Sequence, residues 1–184
     1  MSTAVKIDLI AEAKAFATCH HRHQRWGHAG EPYAVHLEAV ARLVMAVPSA
    51  TQEMVAAAWL HDVENDLDVR PGEIRETFGD QVALLVGELT DPANLEDGDR
   101  SRHAEINRLH AAMASQEAQT IKLADLVEQA GNALEGHGKA DETYMNEALQ
   151  LLLALQGDPH LWELAWNQVS SYFRTYQGRE LARP

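Results

Sequence analysis

The stretch Val55-Ala56-Ala57-Ala58-Trp59-Leu60 offers no polar face, and it constrains the fold more than any other part of the chain. A helix that is apolar all round has to be enclosed by other elements. Thr51 is a suitable N-cap, which predicts a helix from Thr51 that reaches Leu60, His61 and Asp62. The segments available to enclose it are helical by their spacing. Val5, Leu9, Ala13, Phe16 and Ala17 predict a first helix over residues 2–24. Residues 28–31 read as a loop, and Pro32 then suits the first turn of a second helix, where its missing N–H costs little. Leu37, Val40, Leu43 and Val44 give that helix an apolar face.

Pro48 and Ser49 break the pattern. Beyond the apolar helix, short helices are predicted near residues 71–78 and 80–89. Residues 91–99 are polar and contain Pro and Gly, which predicts a loop and the best place for a mobile flap. Longer helices are predicted at 101–113, 116–134, 141–155 and 160–176, the second carrying a stripe of Leu123, Val127, Ala130 and Leu134 and closed by Gly136 and Gly138. No segment alternates convincingly with a two-residue period, so no sheet of consequence is expected. The class is all-α: one multi-helix bundle, with residues 1–184 read as a single domain.

Fifteen basic against 28 acidic residues leave a formal charge of −13, which repels a nucleic-acid backbone and argues against a duplex partner. A phosphorylated small molecule remains compatible, provided a divalent cation and a few local arginines set the field inside the pocket. The single cysteine, Cys19, excludes an intramolecular disulfide and fits a reducing, cytoplasmic setting. The first residues carry charges where a secretory signal needs an apolar core, and no apolar run is long enough to span a membrane. Trp162, Trp166, Tyr172 and Phe173 cluster near the C-terminus and serve either the core or a partner surface; separately, a homo-oligomer is compatible with the sequence.

Four residues carry the chemistry. His36 lies one turn into the second helix, and His61 and Asp62 end the apolar one. Asp125 is a carboxylate inside the apolar run Ile121-Lys122-Leu123-Ala124-Asp125-Leu126-Val127. A buried carboxylate is costly unless compensated. Asp125 has two sources of compensation, a cation or Lys122 three residues earlier on the same helix. Two imidazoles and two carboxylates form an N/O donor set suited to Mn, Fe, Zn or Mg, without the thiolates of a structural zinc site. His61 and Asp62 point about 100° apart around a helix, and the longer reach of imidazole lets both meet one ion. Taken singly, each of these residues also has an ordinary packing or surface use.

In this order the residues resemble the HD-domain phosphohydrolases. The nearer likeness is to the RelA/SpoT-type alarmone hydrolases, in particular the small free-standing kind similar to the metazoan SpoT homologues. The likeness rests on His21-Arg22-His23-Gln24-Arg25, Gly30-Glu31-Pro32-Tyr33 leading to His36, Ala58-Trp59-Leu60-His61-Asp62-Val63, Phe78-Gly79, Glu88-Leu89-Thr90-Asp91, Ile121-Lys122-Leu123-Ala124-Asp125, Tyr144 and Leu155-Gln156-Gly157. It implies an all-α HD-domain bundle, Mn2+ as the usual divalent metal, and removal of pyrophosphate from the 3′ position of a guanosine alarmone such as (p)ppGpp. It implies His36, His61, Asp62 and Asp125 as metal ligands. Arg25 and Tyr144 are implied near the nucleotide, with Gln129 and Lys122 as further substrate contacts.

Departures from the family pattern bear on the chemistry. The Glu-Asp pair that usually follows His-Asp is Asn65-Asp66 here. Glu normally positions or deprotonates the attacking water. Asn65 can orient a water but cannot take up its proton. Glu64 next door either substitutes for it or is a solvated surface acid. Gln129 replaces an asparagine that contacts the nucleoside, Leu126 replaces a basic residue, and Asp97 stands where a loop lysine is expected. Trp26 and Gly27 replace basic residues after Arg25, with Trp26 either stacking on a base or packing against a helix. Arg100, Arg102 and His110 either restore positive charge or are ordinary surface residues. The expectation is therefore a hydrolase of a 3′-pyrophosphorylated nucleotide. The alternatives are another specificity on the same scaffold, toward adenine nucleotides or a nicotinamide cofactor phosphate, and a catalytically weak nucleotide sensor.

Overall fold

The computed structural model describes residues 8–27, 29–66, 69, 71–92, 99–135 and 142–183, leaving aside the side chains of Asn65, Asp66, Pro71 and Glu135. Among the described residues the chain is all-α apart from one two-residue strand pair. In order it forms α1 (Leu9–His20), β1 (Arg25–Trp26), β2 (Glu31–Pro32), α2 (Ala34–Met45), α3 (Gln52–Leu60), α4 (Val63–Asp66), α5 (Pro71–Phe78), α6 (Asp80–Leu89), α7 (Arg100–Met113), α8 (Gln116–Glu135), α9 (Glu142–Ala154) and α10 (Pro159–Gln177).

The apolar helix takes the central place that its composition demands. Every residue of α3 from Met54 to Leu60 is buried. It packs against α1, α2, α6 and α8, so from Met54 onward no face meets water. Thr51 caps it as expected, its Oγ1 accepting from Met54 N at 3.2 Å. Helix α8 is the second axis of the bundle, packed on α2, α6, α9 and α10.

Two expectations near the N-terminus are corrected. The first helix, as described, begins at the Asp8 cap and ends at His20, short of residue 24, because the chain turns at residues 21–23 to lay down β1. Pro32 does not open the second helix. It lies in β2 opposite Arg25, in an antiparallel pair that also matches Trp26 with Glu31, and the helix starts two residues later at Ala34. The intervening turn uses Gly27 at φ +64° and Gly30 at φ +67°, in the left-handed region where glycine carries no steric penalty. A Cβ at Gly27 would also stand 2.9 Å from the Asn132 amide of α8, so this turn is seated directly on that helix.

A second close approach fixes the far end of α8. A Cβ on Gly157 would fall 2.6 Å from the backbone nitrogen of Thr120. Around that contact Asp158 N donates to Thr120 Oγ1 at 3.0 Å and Gln156 N donates to Gln119 Oε1 at 2.6 Å. Of the aromatic cluster near the C-terminus, Trp166, Tyr172 and Phe173 are buried in the core. The Trp162 ring stacks on Trp166 and its indole donates to Leu152 O, so core packing accounts for the group. Of the expected flap over residues 91–99, residues 93–98 lie outside the described residues, as do Gly136 and Gly138. Among the described residues, no helix is long and apolar enough to cross a membrane.

Candidate metal centre and adjoining cleft

Three helices bring His36, His61, Asp62 and Asp125 to one point. His36 projects from the first turn of α2, His61 and Asp62 follow the last residue of α3, and Asp125 lies midway along α8. His61 Nε2 stands 3.0 Å from Asp62 Oδ2 and 3.7 Å from Asp125 Oδ1, while His36 Nε2 is 3.6 Å and 3.5 Å from the same two oxygens. Both imidazoles and Asp125 are almost fully buried.

The tautomers follow from the outer ring nitrogens. His61 Nδ1 reaches back 2.8 Å to the carbonyl of Ala58. A carbonyl only accepts, so Nδ1 carries the proton, and it satisfies one of the carbonyls that a helix end leaves unpaired. His36 Nδ1 lies 2.5 Å from Glu128 Oε2, again an acceptor. Each neutral ring therefore turns a lone pair inward at Nε2. Both Nε2 atoms are buried without a hydrogen-bond partner. Two partnerless imidazole nitrogens facing two carboxylate oxygens form a donor set that can hold a divalent cation.

The electrostatics point the same way. Burial opposes charging His61, yet the Asp62 and Asp125 carboxylates outweigh it and hold its pKa well above the ordinary value. His36 is raised too, burial being overcome by the surrounding carboxylates of Asp62, Glu128 and Asp125. Burial would raise both carboxyls, but they lie well below their usual range. His61 is the main counter-influence on Asp62, and Lys122 followed by His61 on Asp125. The carboxylates of the cluster therefore favour positive charge at this point.

Asp125 has the lysine partner as well as the imidazoles. Lys122 Nζ sits 3.3 Å from Asp125 Oδ2, leaving Oδ1 to face the imidazoles. Burial opposes the charge on that lysine, but Asp125, followed by Asp91 and Asp62, outweighs it and holds its pKa above the ordinary value. Gln129 Nε2 donates to Asp125 Oδ1 at 2.7 Å and its Oε1 accepts from Tyr144 OH at 3.1 Å. Lys122, Asp125, Gln129 and Tyr144 all line a cleft of about 870 Å³ between α7, α8 and α9, a size suited to a small-molecule ligand.

The other residues singled out in the sequence are placed as follows. Arg25 is exposed on β1. Glu64 is half-buried and no ordinary surface acid, for it accepts from Thr90 Oγ1 at 3.3 Å and its other oxygen is enclosed. Burial pushes its carboxyl up, partly offset by that bond. The Asn65 and Asp66 side chains lie outside the described residues, as does Asp97. Arg100 is held by Glu147 through two 3.0 Å bonds, and Arg102 pairs with Glu105. His110 borders a small cavity beside Asp91 and Lys122.

Trp26 packs on protein instead of awaiting a base. Its ring lies 4.3 Å from that of His36, and its indole donates to Glu128 Oε1 at 3.0 Å. Glu128 carries no role in the sequence reading, and Tyr33 enters it only as part of the likeness; the Tyr33 hydroxyl donates to Asp62 Oδ2 at 2.7 Å. Glu128 stands three residues after Asp125, hence on the same face of α8, and that spacing was the available signal.

This helical bundle, with His, His-Asp and Asp converging from three helices, has known relatives. The HD domain family model matches residues 13–155, and the chain belongs to that family. It is similar to the guanosine-3′,5′-bis(diphosphate) 3′-pyrophosphohydrolase MESH1 of Danio rerio, at 36% identity over 67% of this chain and 66% of that protein. A probable guanosine-3′,5′-bis(diphosphate) 3′-pyrophosphohydrolase of Synechocystis is 29% identical over 90% of this chain. The chain spans just under two thirds of the first relative and 22% of the second. Among solved structures, a metazoan orthologue of SpoT described as hydrolysing ppGpp superposes with a TM-score of 0.76 at 25% identity, covering 95% of this chain and 96% of that one.

Proposed function

We propose that this chain is a metal-dependent phosphohydrolase that removes pyrophosphate from the 3′ position of a nucleotide alarmone such as (p)ppGpp. The observation that carries the reading is the pair of buried, partnerless Nε2 atoms of His36 and His61 aimed at the Asp62 and Asp125 oxygens, 3.0 to 3.7 Å away. These four residues hold the cation, for which we take Mn2+. When bound, it supplies Lewis-acid polarisation and a more acidic water.

The chain's own residues do the rest. Lys122 keeps Asp125 ionised and puts a positive charge on the cleft wall, where it favours phosphoryl oxygens. Asp66, with Asn65 or Glu64, positions the water against phosphorus. Tyr144 and Gln129, linked to each other and to Asp125, orient the nucleotide together with Arg25. Residues 1–184 act as one HD-type domain. The lone Cys19, with no disulfide partner, suits the cytoplasm.

One observation favours a second specificity. Asp91, Asp99, Glu105, Asp125 and Glu147 line the cleft against Arg108 and Lys122, and Arg100 is committed to Glu147. A wall this acidic favours a nucleotide with fewer phosphates than a doubly pyrophosphorylated one, such as an adenine nucleotide or a nicotinamide cofactor phosphate. The test is turnover of ppGpp, adenosine 3′,5′-bisphosphate and NADPH by the Mn2+-loaded chain, with released pyrophosphate and phosphate measured separately and Asp125→Ala as control. Pyrophosphate from ppGpp supports the leading reading. Phosphate from another nucleotide alone favours the second. Binding without turnover of any of them points to a sensor.

A further inference from the structure

The two imidazoles of the cluster are backed by different groups. His61 Nδ1 donates to a neutral carbonyl, that of Ala58, at 2.8 Å. His36 Nδ1 donates to a carboxylate, Glu128 Oε2, at 2.5 Å. The other Glu128 oxygen is engaged too, accepting from the Trp26 indole at 3.0 Å. That indole also lies against the His36 ring, at 4.3 Å between centroids and 32° between planes. One aromatic side chain therefore fixes both the imidazole and the carboxylate behind it.

The support reaches across the chain. Glu128 stands on α8 one turn after Asp125, with its side chain only 14% exposed. Trp26 is brought over it by the β1–β2 pair, whose turn seats Gly27 against Asn132, a further turn along α8. A charged acceptor on Nδ1–H strengthens the opposite ring nitrogen as a donor more than a neutral carbonyl does. It also excludes the tautomer that would place a proton on Nε2.

We infer that Glu128 is a positioning residue of the metal centre. Held by Trp26, it locks His36 with a bare Nε2 and makes His36 the stronger of the two imidazole donors. The cation affinity of the chain then depends on the Trp26–Glu128 pair, although neither residue is among the four that face the ion. The inference rests on the metal reading of the cluster given above.

The test is Mn2+ and Zn2+ affinity of the full chain, measured by competition with a chromophoric chelator. Loss of the backing carboxylate in Glu128→Ala weakens binding by about 10- to 100-fold, the usual cost of removing such a partner. Glu128→Gln, which keeps an acceptor but not the charge, gives a smaller loss. Trp26→Phe weakens binding by less than Glu128→Ala. The double variant is no worse than Glu128→Ala alone, because Trp26 acts through Glu128. In the metal-free protein, the His36 Nδ1 proton is strongly deshielded in NMR spectra and loses that signature in Glu128→Gln.

Affinity in Glu128→Gln equal to wild type, with that NMR signal unmoved, overturns the inference even if Glu128→Ala fails to fold. Asp125→Ala separates the two layers of argument. If it abolishes cation binding while Glu128→Gln does nothing, only the role of Glu128 is lost. If Asp125→Ala binds as wild type does, the metal reading itself fails.

Discussion

Gly157→Ala probes the junction that sets the position of α8. The added methyl would stand 2.6 Å from Thr120 N and 2.8 Å from Gln119 C, both backbone atoms that cannot rotate away. Restoring an ordinary contact requires the connection at residues 155–158 and the start of α8 to part by about 0.8 Å. That movement carries Asp158 N, now 3.0 Å from Thr120 Oγ1, beyond hydrogen-bonding reach and stretches the bond from Gln156 N to Gln119. Overpacking costs about 1–3 kcal/mol and an unpaired buried donor a similar amount. Relaxation trades one against the other, so the net loss is roughly 2–4 kcal/mol. For a chain of this size that lowers Tm by roughly 5–15 °C in a circular-dichroism melt. Gly87→Ala is the matched control, because Gly87 lies within α6 with nothing within 4 Å of the added Cβ. It should gain roughly 0.5–1 kcal/mol from helix propensity. A Gly157→Ala melt within about 2 °C of wild type, beside a stabilised Gly87→Ala, would refute the close-approach argument.

Mn2+ at about 100 times its Kd should add ~2.7 kcal/mol of stability, read as a Tm roughly 5–10 °C above that of chelator-treated protein. The difference should vanish in Asp125→Ala, and a persisting one would place the ion elsewhere. Lys122→Met removes the partner of Asp125 Oδ2, so it should lower Tm more in chelator than in Mn2+, where the cation compensates the carboxylate. Equal losses in the two buffers would contradict that assignment. Tyr144→Phe removes the hydroxyl bond to Gln129, worth ~1 kcal/mol, and should reduce kcat/KM for the nucleotide by about fivefold with Mn2+ affinity unchanged. A fall in Mn2+ affinity instead would tie Tyr144 to the metal rather than the nucleotide. Tyr33→Phe is the converse case, since it strips a donor from Asp62 and should weaken Mn2+ binding. Unaltered affinity would show that the bond does not support Asp62 as a ligand.

The features legible in the sequence are those that a single helix can express. Thr51 followed by an apolar run announces both the start of α3 and its burial, because capping and periodicity are local. Asp125 declares itself since a carboxylate within Ile121–Val127 demands compensation wherever the helix packs. What stayed hidden depends on residues far apart in the chain. The Arg25–Trp26 and Glu31–Pro32 pair is too short to show a two-residue period, so Pro32 reads as a helix opener although it closes a strand pair. Trp26 looks available to a nucleobase until α8 supplies an acceptor for its indole from 102 residues away. Arg100 reads as a spare positive charge until Glu147 arrives from α9. Glu128 is the instructive case, for its place on the face of Asp125 follows from their spacing alone. What spacing cannot reveal is that β1 and α2 close over that face, turning an apparently ordinary surface glutamate into the partner of His36. In a fold whose candidate site is assembled at helix crossings, the candidate ligands are readable one helix at a time. Those that orient them emerge only when the helices are brought together.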